Sequence, residues 1–129
     1  MGDINLGTKI NNLDEIVSKV IDALGKLTVK EITGYTVDST YITNSDNVHI
    51  YQQGSMLLVN FNFNVGTEIP SNTQIITNLP FKPKDVFHGI LINNVGVASR
   101  IRILANANYI TSDGAIPTGW NNGQLIIMI

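Results

Sequence analysis

The sequence predicts a mainly β protein, an antiparallel domain of the jelly-roll or β-barrel type preceded by a short N-terminal coiled-coil helix. Three observations lead to this prediction. An apolar heptad occupies the first 27 residues and then stops. From residue 29 onward, short apolar stretches alternate with Gly, Asn and Pro turns. The stretch VNFNFNV at 59–65 alternates strictly between apolar residues and asparagine, which is the period of a strand with one buried face.

The heptad is carried by seven residues spaced alternately by four and three positions. They are Leu6, Ile10, Leu13, Val17, Val20, Leu24 and Leu27. Asn12 with Glu15 is typical of a helix N-terminal capping box, and Gly25 is typical of a C-terminal stop. The firmly helical part is therefore expected at 13–24. A helix this short is marginal alone in water, which predicts partner chains.

Two further apolar residues, Ile16 and Ile21, widen the stripe beyond the seam of a two-stranded coil. A wider stripe favours three strands, although the mixed seam residues leave the number open. The alternative is an amphipathic helix packed on its own domain. We favour the stalk of a homotrimer, because the stripe is terminal and an extended segment follows it. The expected organisation is a stalk helix at 1–28, a linker strand or neck at 29–46, and a β head domain at 47–129.

The head domain is expected to consist of short strands separated by turn signals. Gln53-Gly54 separates two strands, the second of which contains the alternating asparagines. The stretch TQIITNLPFKP at 73–83 is expected to be a further strand that Pro80 and Pro83 end, because neither proline can donate to a central ladder. A hairpin is expected around 93–96, followed by another strand.

The end of the chain combines a turn signal with an unusually apolar strand. Asn122-Gly123 is typical of a type I′ hairpin turn, so a strand is expected on each side of it. The stretch LIIMI at 125–129 is apolar at every position, so both of its faces have to be covered. It therefore lies centrally in the domain or against a neighbouring protomer.

Charge is scarce in this chain and asparagine is abundant. Charged residues make up 14%, against roughly 25% in ordinary globular chains, and sixteen residues are asparagine. A net charge of −2 without a basic cluster disfavours nucleic-acid binding, and no apolar run is long enough for membrane insertion. Asn60, Asn62 and Asn64 form a soluble face, an amide contact between protomers or part of a glycan groove. Their position in mid-strand favours solvent or an interface.

Three local segments carry a family resemblance: ITNLPFKP at 76–83, RIRILANANYITSDG at 100–114 and IPTGW at 116–120. Together with the heptad and the β domain that follows it, they resemble the C-terminal head of tail-fibre and receptor-binding proteins of phages that infect Gram-positive bacteria. The resemblance covers residues 4 to 129. It implies a homotrimer at the tail tip or baseplate of a virion, which binds host cell-wall saccharides and contacts other tail proteins. Heads of this family use aromatic, His, Asp and Arg side chains for that purpose.

Sugar recognition needs a flat apolar surface for the pyranose ring and planar polar groups for its hydroxyls. The residues predicted to bind saccharide are Trp120, Arg100, Arg102, Asp113, Tyr109, His88 and Asn121. Trp120 lies beside the expected Asn-Gly turn, where it forms either a sugar platform or a lid over the core. Tyr109 either stacks on a sugar or packs at a strand end.

Arg100 and Arg102 alternate with isoleucines, so both guanidinium groups are expected on one face of a strand. Asp113, in the next hairpin, is a plausible partner. The alternative is a solvated face or a salt bridge between subunits. His88 and His49 lack further ligands at metal-binding spacing, so neither a metal nor a cofactor is expected.

Enzymatic function is disfavoured by the motifs. The sequence has no Gly-x-Ser-x-Gly elbow, His-Glu-x-x-His pair or phosphate loop. A glycosidase needs two carboxylates a few ångströms apart, and those of the β domain fall mostly at expected turns. The prediction is a non-enzymatic adhesin whose weak, repeated sites gain strength by avidity. The alternatives are a purely structural tail or baseplate module and, less favoured, a trimeric polysaccharide depolymerase.

Overall fold

The computed structural model describes the backbone of residues 6–129 and the side chains of residues 11–24 and 28–129. This part of the chain contains one helix, α1 (Leu6–Leu27), and ten strands. The strands are β1 (Lys30–Ile32), β2 (Thr36–Val37), β3 (Ile42–Asn44), β4 (His49–Gln53), β5 (Met56–Val65), β6 (Gln74–Thr77), β7 (Phe87–Asn93), β8 (Ala98–Ile103), β9 (Ile110–Ser112) and β10 (Gly119–Met128). The prediction of a mainly β, antiparallel chain after an N-terminal helix is confirmed.

All ten strands join one sheet in the order β1-β4-β5-β10-β7-β8-β9-β6-β2, with β3 also paired to β5. The two ends of this path, β1 and β2, are separated in the chain by residues 33–35 only. A connection that short spans at most about 14 Å. The sheet therefore has to curl back on itself, and it forms an antiparallel half-barrel.

The apolar core fills the inside of the curl, and β5 shows how the sequence determines it. Val59, Phe61 and Phe63 are buried, whereas the asparagines between them are half-exposed, which confirms the predicted alternation. The two phenylalanine rings meet edge to face with centroids 5.8 Å apart. Burial of each such side chain contributes roughly 2–3 kcal/mol to folding.

Helix α1 is longer than predicted, because it begins six residues before Asn12 and continues two residues beyond Gly25. Neither residue marks an end, so the predicted boundaries are wrong. The helix ends at Leu27, and the N–H and hydroxyl of the following Thr28 donate to the carbonyl oxygen of Leu24 at 3.0 and 2.9 Å. The helix extends past both expected cap residues because the apolar heptad continues before Asn12 and after Gly25.

Every described side chain of α1 is exposed. The apolar ones expose 49–61% of their surface and are Leu13, Ile16, Val17, Val20, Ile21 and Leu24. Between residues 11 and 24 the stripe therefore does not pack on its own β domain. The predicted seam residues Leu6, Ile10 and Leu27 lie outside the described side chains. Assembly of this helix into a coiled coil stays a prediction.

The segment 29–46, predicted as a linker or neck, belongs to the sheet. Its three strands pair with β4, β6 and β5 respectively. Between β1 and β2, the Tyr35 hydroxyl donates to the carbonyl oxygen of Val48 at 3.0 Å. The segment therefore joins the two edges of the curl.

The turn predicted at Asn122-Gly123 is wrong, because β10 runs unbroken between β5 and β7. A Cβ at Gly123 would collide with the carbonyl oxygen of Ile90 in β7. A Cβ at Gly89 would lie only 2.6 Å from the carbonyl oxygen of Gln124. The two glycines thus permit a close backbone approach between β7 and β10, which is a known use of glycine inside strands.

The remaining strand predictions are confirmed. Hairpins connect β4 to β5 and β7 to β8, and β6 ends before Pro80. The apolar strand at the end of the chain is central, with Leu125 and Ile127 buried. Its other face, which carries Ile126 and Met128, is exposed. Within a single chain, therefore, only one of the two apolar faces of this end of β10 is covered.

Substitution of Gly123 tests the close approach of β7 and β10. We expect Gly123→Ala to lower the free energy of unfolding by about 3 kcal/mol, because the methyl group meets backbone that cannot move aside. Gly96→Ala is the control: its site is open and only its φ of +84° is unfavourable, so about 1 kcal/mol is expected. Urea unfolding of both variants measures the difference. Equal losses would contradict the packing role of Gly123.

Tyr35 predicts a pH dependence of stability. Its pKa is raised, first by burial and then by the negative charge of Glu31 and by Tyr51. The folded state therefore holds the proton more tightly than the unfolded chain, whose tyrosines titrate near pH 10. The stabilising contribution of this group is fully present below about pH 10, and it is lost as the pH rises through the pKa of Tyr35 in the folded state. Thermal unfolding between pH 8 and 11.5 should show a smaller alkaline loss for Tyr35→Phe than for wild type, and identical losses would contradict this.

Candidate functional site

The outer side of the three central strands is uncharged. Strands β5, β10 and β7 contain no Asp, Glu, Lys or Arg. The outward side chains at their centre are amides and isoleucines, and we call them the amide–isoleucine face: Asn60, Asn62, Asn122, Gln124, Ile90, Ile92 and Ile126. The register places Asn62 beside Asn122 and Asn60 beside Gln124. Amides therefore form rows across two strands, and the isoleucines of β7 extend those rows.

An open groove of about 870 Å³ crosses this face. Backbone of Gly89 and Gly123 contributes to its lining, together with the amides and isoleucines, and His88 also lines it. The groove is shallow and neutral, with one titratable side chain.

A cluster of charged side chains shares His88 with the groove. His88 Nδ1 and Arg100 Nε each lie 3.8 Å from Asp113 Oδ2, and Arg102 Nη1 lies 3.6 Å from Asp113 Oδ1. We call these four residues the charged cluster. Strand register creates it, because His88 pairs with Arg102 across β7 and β8. The Asp113 N–H donates to the carbonyl oxygen of Arg100 at 2.8 Å, which holds the carboxylate beside both arginines.

The charged cluster has a surplus of positive charge, since one carboxylate faces two guanidinium groups and a histidine. Arg100 is 69% exposed in its side chain and Asp113 only 20%. Arg102 Nη2 donates to Asn72 Oδ1 at 2.9 Å, whereas its Nε is buried without a hydrogen-bond partner. At 3.6–3.8 Å the ion pairs are longer than hydrogen bonds. Arg100 therefore keeps donors free for hydroxyl or acidic groups of a ligand.

Trp120 is part of the outer surface, because it lies in β10 and not beside a turn. It is 36% exposed and pairs with Asn64, whose side chain is also directed outward. It is therefore not a lid over the core. Along the strand it lies four residues, about 13 Å, from Gln124, and Gln124 pairs with Ile90 near the charged cluster. Trp120 and the charged cluster thus lie toward opposite ends of the groove.

Asn121 and Tyr109 have structural positions. Asn121 is fully buried, and its Nδ2 donates to the carbonyl oxygens of Pro117 and Gly119 at 3.0 and 3.1 Å. It offers no atom to a ligand, because the continuous β10 directs its side chain inward. Tyr109 is half-buried and packs against the hydrophobic core, as the packing alternative predicted. Neither residue contacts the charged cluster, and we leave both out of the candidate site.

The sequence interpretation missed two components of the site. Asn72, which accepts a hydrogen bond from Arg102, lies 30 positions away in the sequence, and no motif connects the two. The outward set of Asn122, Gln124 and Ile126 was missed because a turn was expected there. The sequence carries no signal for these faces, because residues 125–129 are all apolar and Asn121 and Asn122 are identical, whereas burial alternates along the strand.

The part of the chain that the structure describes contains neither a metal-binding cluster nor a membrane-spanning helix. Among those residues no three His, Cys, Asp or Glu side chains group closely enough to hold a metal ion. Within the same limits, no helix has the length and apolar character that crossing a bilayer requires.

Comparisons with models of protein families, with curated proteins and with solved structures gave no match to this chain. The resemblance to phage heads therefore stays a prediction. A fold class alone does not determine function, so the functional inference depends on the chemistry of the charged cluster, the groove and the exposed helix.

Asn121 and its neighbour Asn122 form a matched pair for testing the role of the buried amide. Asn121→Ala removes the donor from two carbonyl oxygens inside the protein, so we expect a loss of about 2 kcal/mol in the free energy of unfolding. Asn122→Ala removes an exposed amide next to it and should change stability by less than about 0.5 kcal/mol. Chemical denaturation measures both. A larger loss for Asn122→Ala would contradict the assignment of inward and outward faces.

Proposed function

We propose that this chain is a receptor-binding module of a phage tail, a homotrimeric adhesin that binds host cell-surface saccharide without a catalytic step. The observation that carries the proposal is the charged cluster. His88, Arg100, Arg102 and Asp113 were each predicted from the sequence as saccharide-binding residues, and they are brought together on the open outer surface. Residues distant in sequence thus converge on one polar site.

The chemistry of the charged cluster suits a hydroxyl-rich ligand. A guanidinium group offers several donors in one plane, and a carboxylate accepts from neighbouring hydroxyls. Arg100 is the most exposed member, so it makes the first contact, while Asp113 is held by its backbone hydrogen bond. The surplus of positive charge favours saccharides that carry acidic groups. Trp120 is too distant to stack on the same sugar unit and would serve a separate contact.

The exposed helix supports the homotrimer. An apolar stripe that its own domain leaves uncovered is costly in water, and association of three α1 helices would bury it. The β domain would then be a jelly-roll or barrel head on a coiled-coil stalk, displayed at the tail tip or baseplate of a virion and in contact with other tail proteins. Three charged clusters per trimer would bind a repetitive polymer with avidity greater than that of one site.

A second candidate is a purely structural tail or baseplate module. It is favoured by the loose ion pairs of the charged cluster, which an adjoining subunit would complete. A depolymerase has less support, because the charged cluster holds one carboxylate and a glycosidase needs two. Release of reducing ends from host polysaccharide would establish that third candidate.

Saccharide binding is tested with Arg100→Ala and Arg102→Ala on arrays of host cell-wall polysaccharides. Loss of a charged hydrogen-bond donor should weaken binding at least tenfold. Lys84→Ala removes an exposed positive charge outside the charged cluster and should leave binding unchanged. Trp120→Ala reports whether the separate aromatic contact exists. Absence of binding by wild type to every polysaccharide would favour the structural module.

Self-association is tested by light scattering of the intact chain. Three chains of 14.1 kDa give about 42 kDa, and this mass is expected at micromolar concentration. Val17→Lys combined with Val20→Lys places like charges along the stripe of neighbouring helices and should shift dissociation to higher concentration. A folded species of 14.1 kDa at all concentrations would contradict the homotrimer.

A further inference from the structure

We propose that the amide–isoleucine face is a second contact surface for another copy of this chain, separate from the helical stalk. The inference deepens the homotrimer of the proposed function and rests on that part alone, not on saccharide binding. It assigns a partner to the sheet face that the single chain leaves uncovered. Apolar exposure, charge and continuity with the helix each support it.

The outer side of the central strands exposes enough apolar surface for an interface. Six large apolar side chains there are exposed by 36–59%, and they are Ile90, Ile92, Ile126, Met128, Met56 and Trp120. At roughly 100 Å² each they supply most of the about 800 Å² that each partner contributes to a standard interface. The amides between them supply more. Exposed apolar surface of this extent on one side of a sheet indicates an interaction site.

The charge pattern makes this surface suitable for a copy of itself. Where a surface lies on the symmetry axis that relates identical subunits, each side chain faces its own equivalent in a neighbouring copy. A carboxylate or an ammonium group would then meet its like, whereas an amide carries both donors and an acceptor and can pair with another amide. Strands β5 and β10 contain twenty residues without one Asp, Glu, Lys or Arg. This explains why asparagine and glutamine stand where ordinary solvated strands carry charge.

Apolar side chains lead from the amide–isoleucine face to the point where the helix ends. Val29, directly after the helix cap, is 59% exposed and lines a hollow of about 370 Å³ with Tyr51, Met56 and Leu58. In the register of β5 and β10, Met56 pairs with Met128 and Leu58 with Ile126. Val29, Met56 and Leu58 therefore connect the point where α1 ends with the amide–isoleucine face, and Glu31 lies beside this path, paired with Tyr51. Copies associated along the helix would have this surface next to the point where the stalk ends.

A protein partner fits the groove better than a sugar does. The three isoleucines of the face need apolar cover, which hydroxyl-rich ligands provide poorly. The aromatic platform that a pyranose requires is not in the groove, since Trp120 lies beyond its lining residues. The polar groups suited to sugars are in the charged cluster, at one end of the face.

The experiment uses the full chain with the helical contact removed by Val17→Lys and Val20→Lys. In this background we expect the mass from sedimentation velocity to exceed that of one chain as the protein concentration rises from about 10 to about 200 µM, a range reasonable for a weak interface. Adding Ile126→Lys or Ile92→Lys should weaken this association at least tenfold. Adding Val95→Lys should not, because Val95 is 77% exposed at the tip of the β7–β8 hairpin, away from the face. Circular dichroism establishes that each variant is folded.

A second measurement locates the contact. Oxidation of Met56 and Met128 by peroxide should slow as the helix variant is concentrated, because both thioethers lie on the covered surface. A helix variant that stays monomeric, or association that Ile126→Lys and Ile92→Lys leave unchanged, would overturn the inference. Protection of the methionines by polysaccharide alone would also overturn it and assign the groove to a glycan. Failure of saccharide binding at the charged cluster would affect the proposed function without affecting this interface.

Discussion

The pairing of β5 with β10 is the constraint on which the rest of the structure depends. Ten consecutive residue pairs join the two strands, from Val65 beside Gly119 to Met56 beside Met128. Because side chains alternate, a slip of one residue would bring asparagines into the core and phenylalanines to the surface. Burial of Phe61, Phe63 and Leu125 therefore fixes one register. That register also determines which amides and isoleucines face outward together.

The same pairing also determines where the candidate site lies. With β10 fixed, β7 and β8 follow in order and bring His88 beside Arg102, and the turn after β9 returns Asp113 to them. At the other edge, β1 carries the chain from the end of α1 into the sheet, so exposed helix and exposed sheet face are adjoining surfaces. The proposed saccharide site and the proposed self-association surface therefore occupy different parts of one outer side.

Patterns set by burial could be read from the sequence, and features set by distant pairing could not. The alternation at 59–65, the exposed heptad and the proximity of Asp113 to the two arginines follow from local period and spacing. The Asn122-Gly123 dipeptide led to a wrong turn prediction, because pairing with β5 and β7 keeps this segment extended. Asn121 was wrongly expected beside a turn for the same reason. The ends of α1 were missed for a related reason, since cap residues are weak signals beside a continuing apolar stripe.

The central position of β10 has a consequence for how the protein forms. Strands β1, β3, β4 and β5 make one half of the sheet, and β2 with β6 to β9 make the other. No ladder links the halves until residues 119–128 have been synthesised, although every other strand precedes them. Assembly therefore depends on contacts between segments far apart in sequence, which makes folding slow and leaves apolar edges open in nascent chains. A chain truncated before Gly119 would lack the strand that joins the two halves, and the edges of β5 and β7 would stay unpaired.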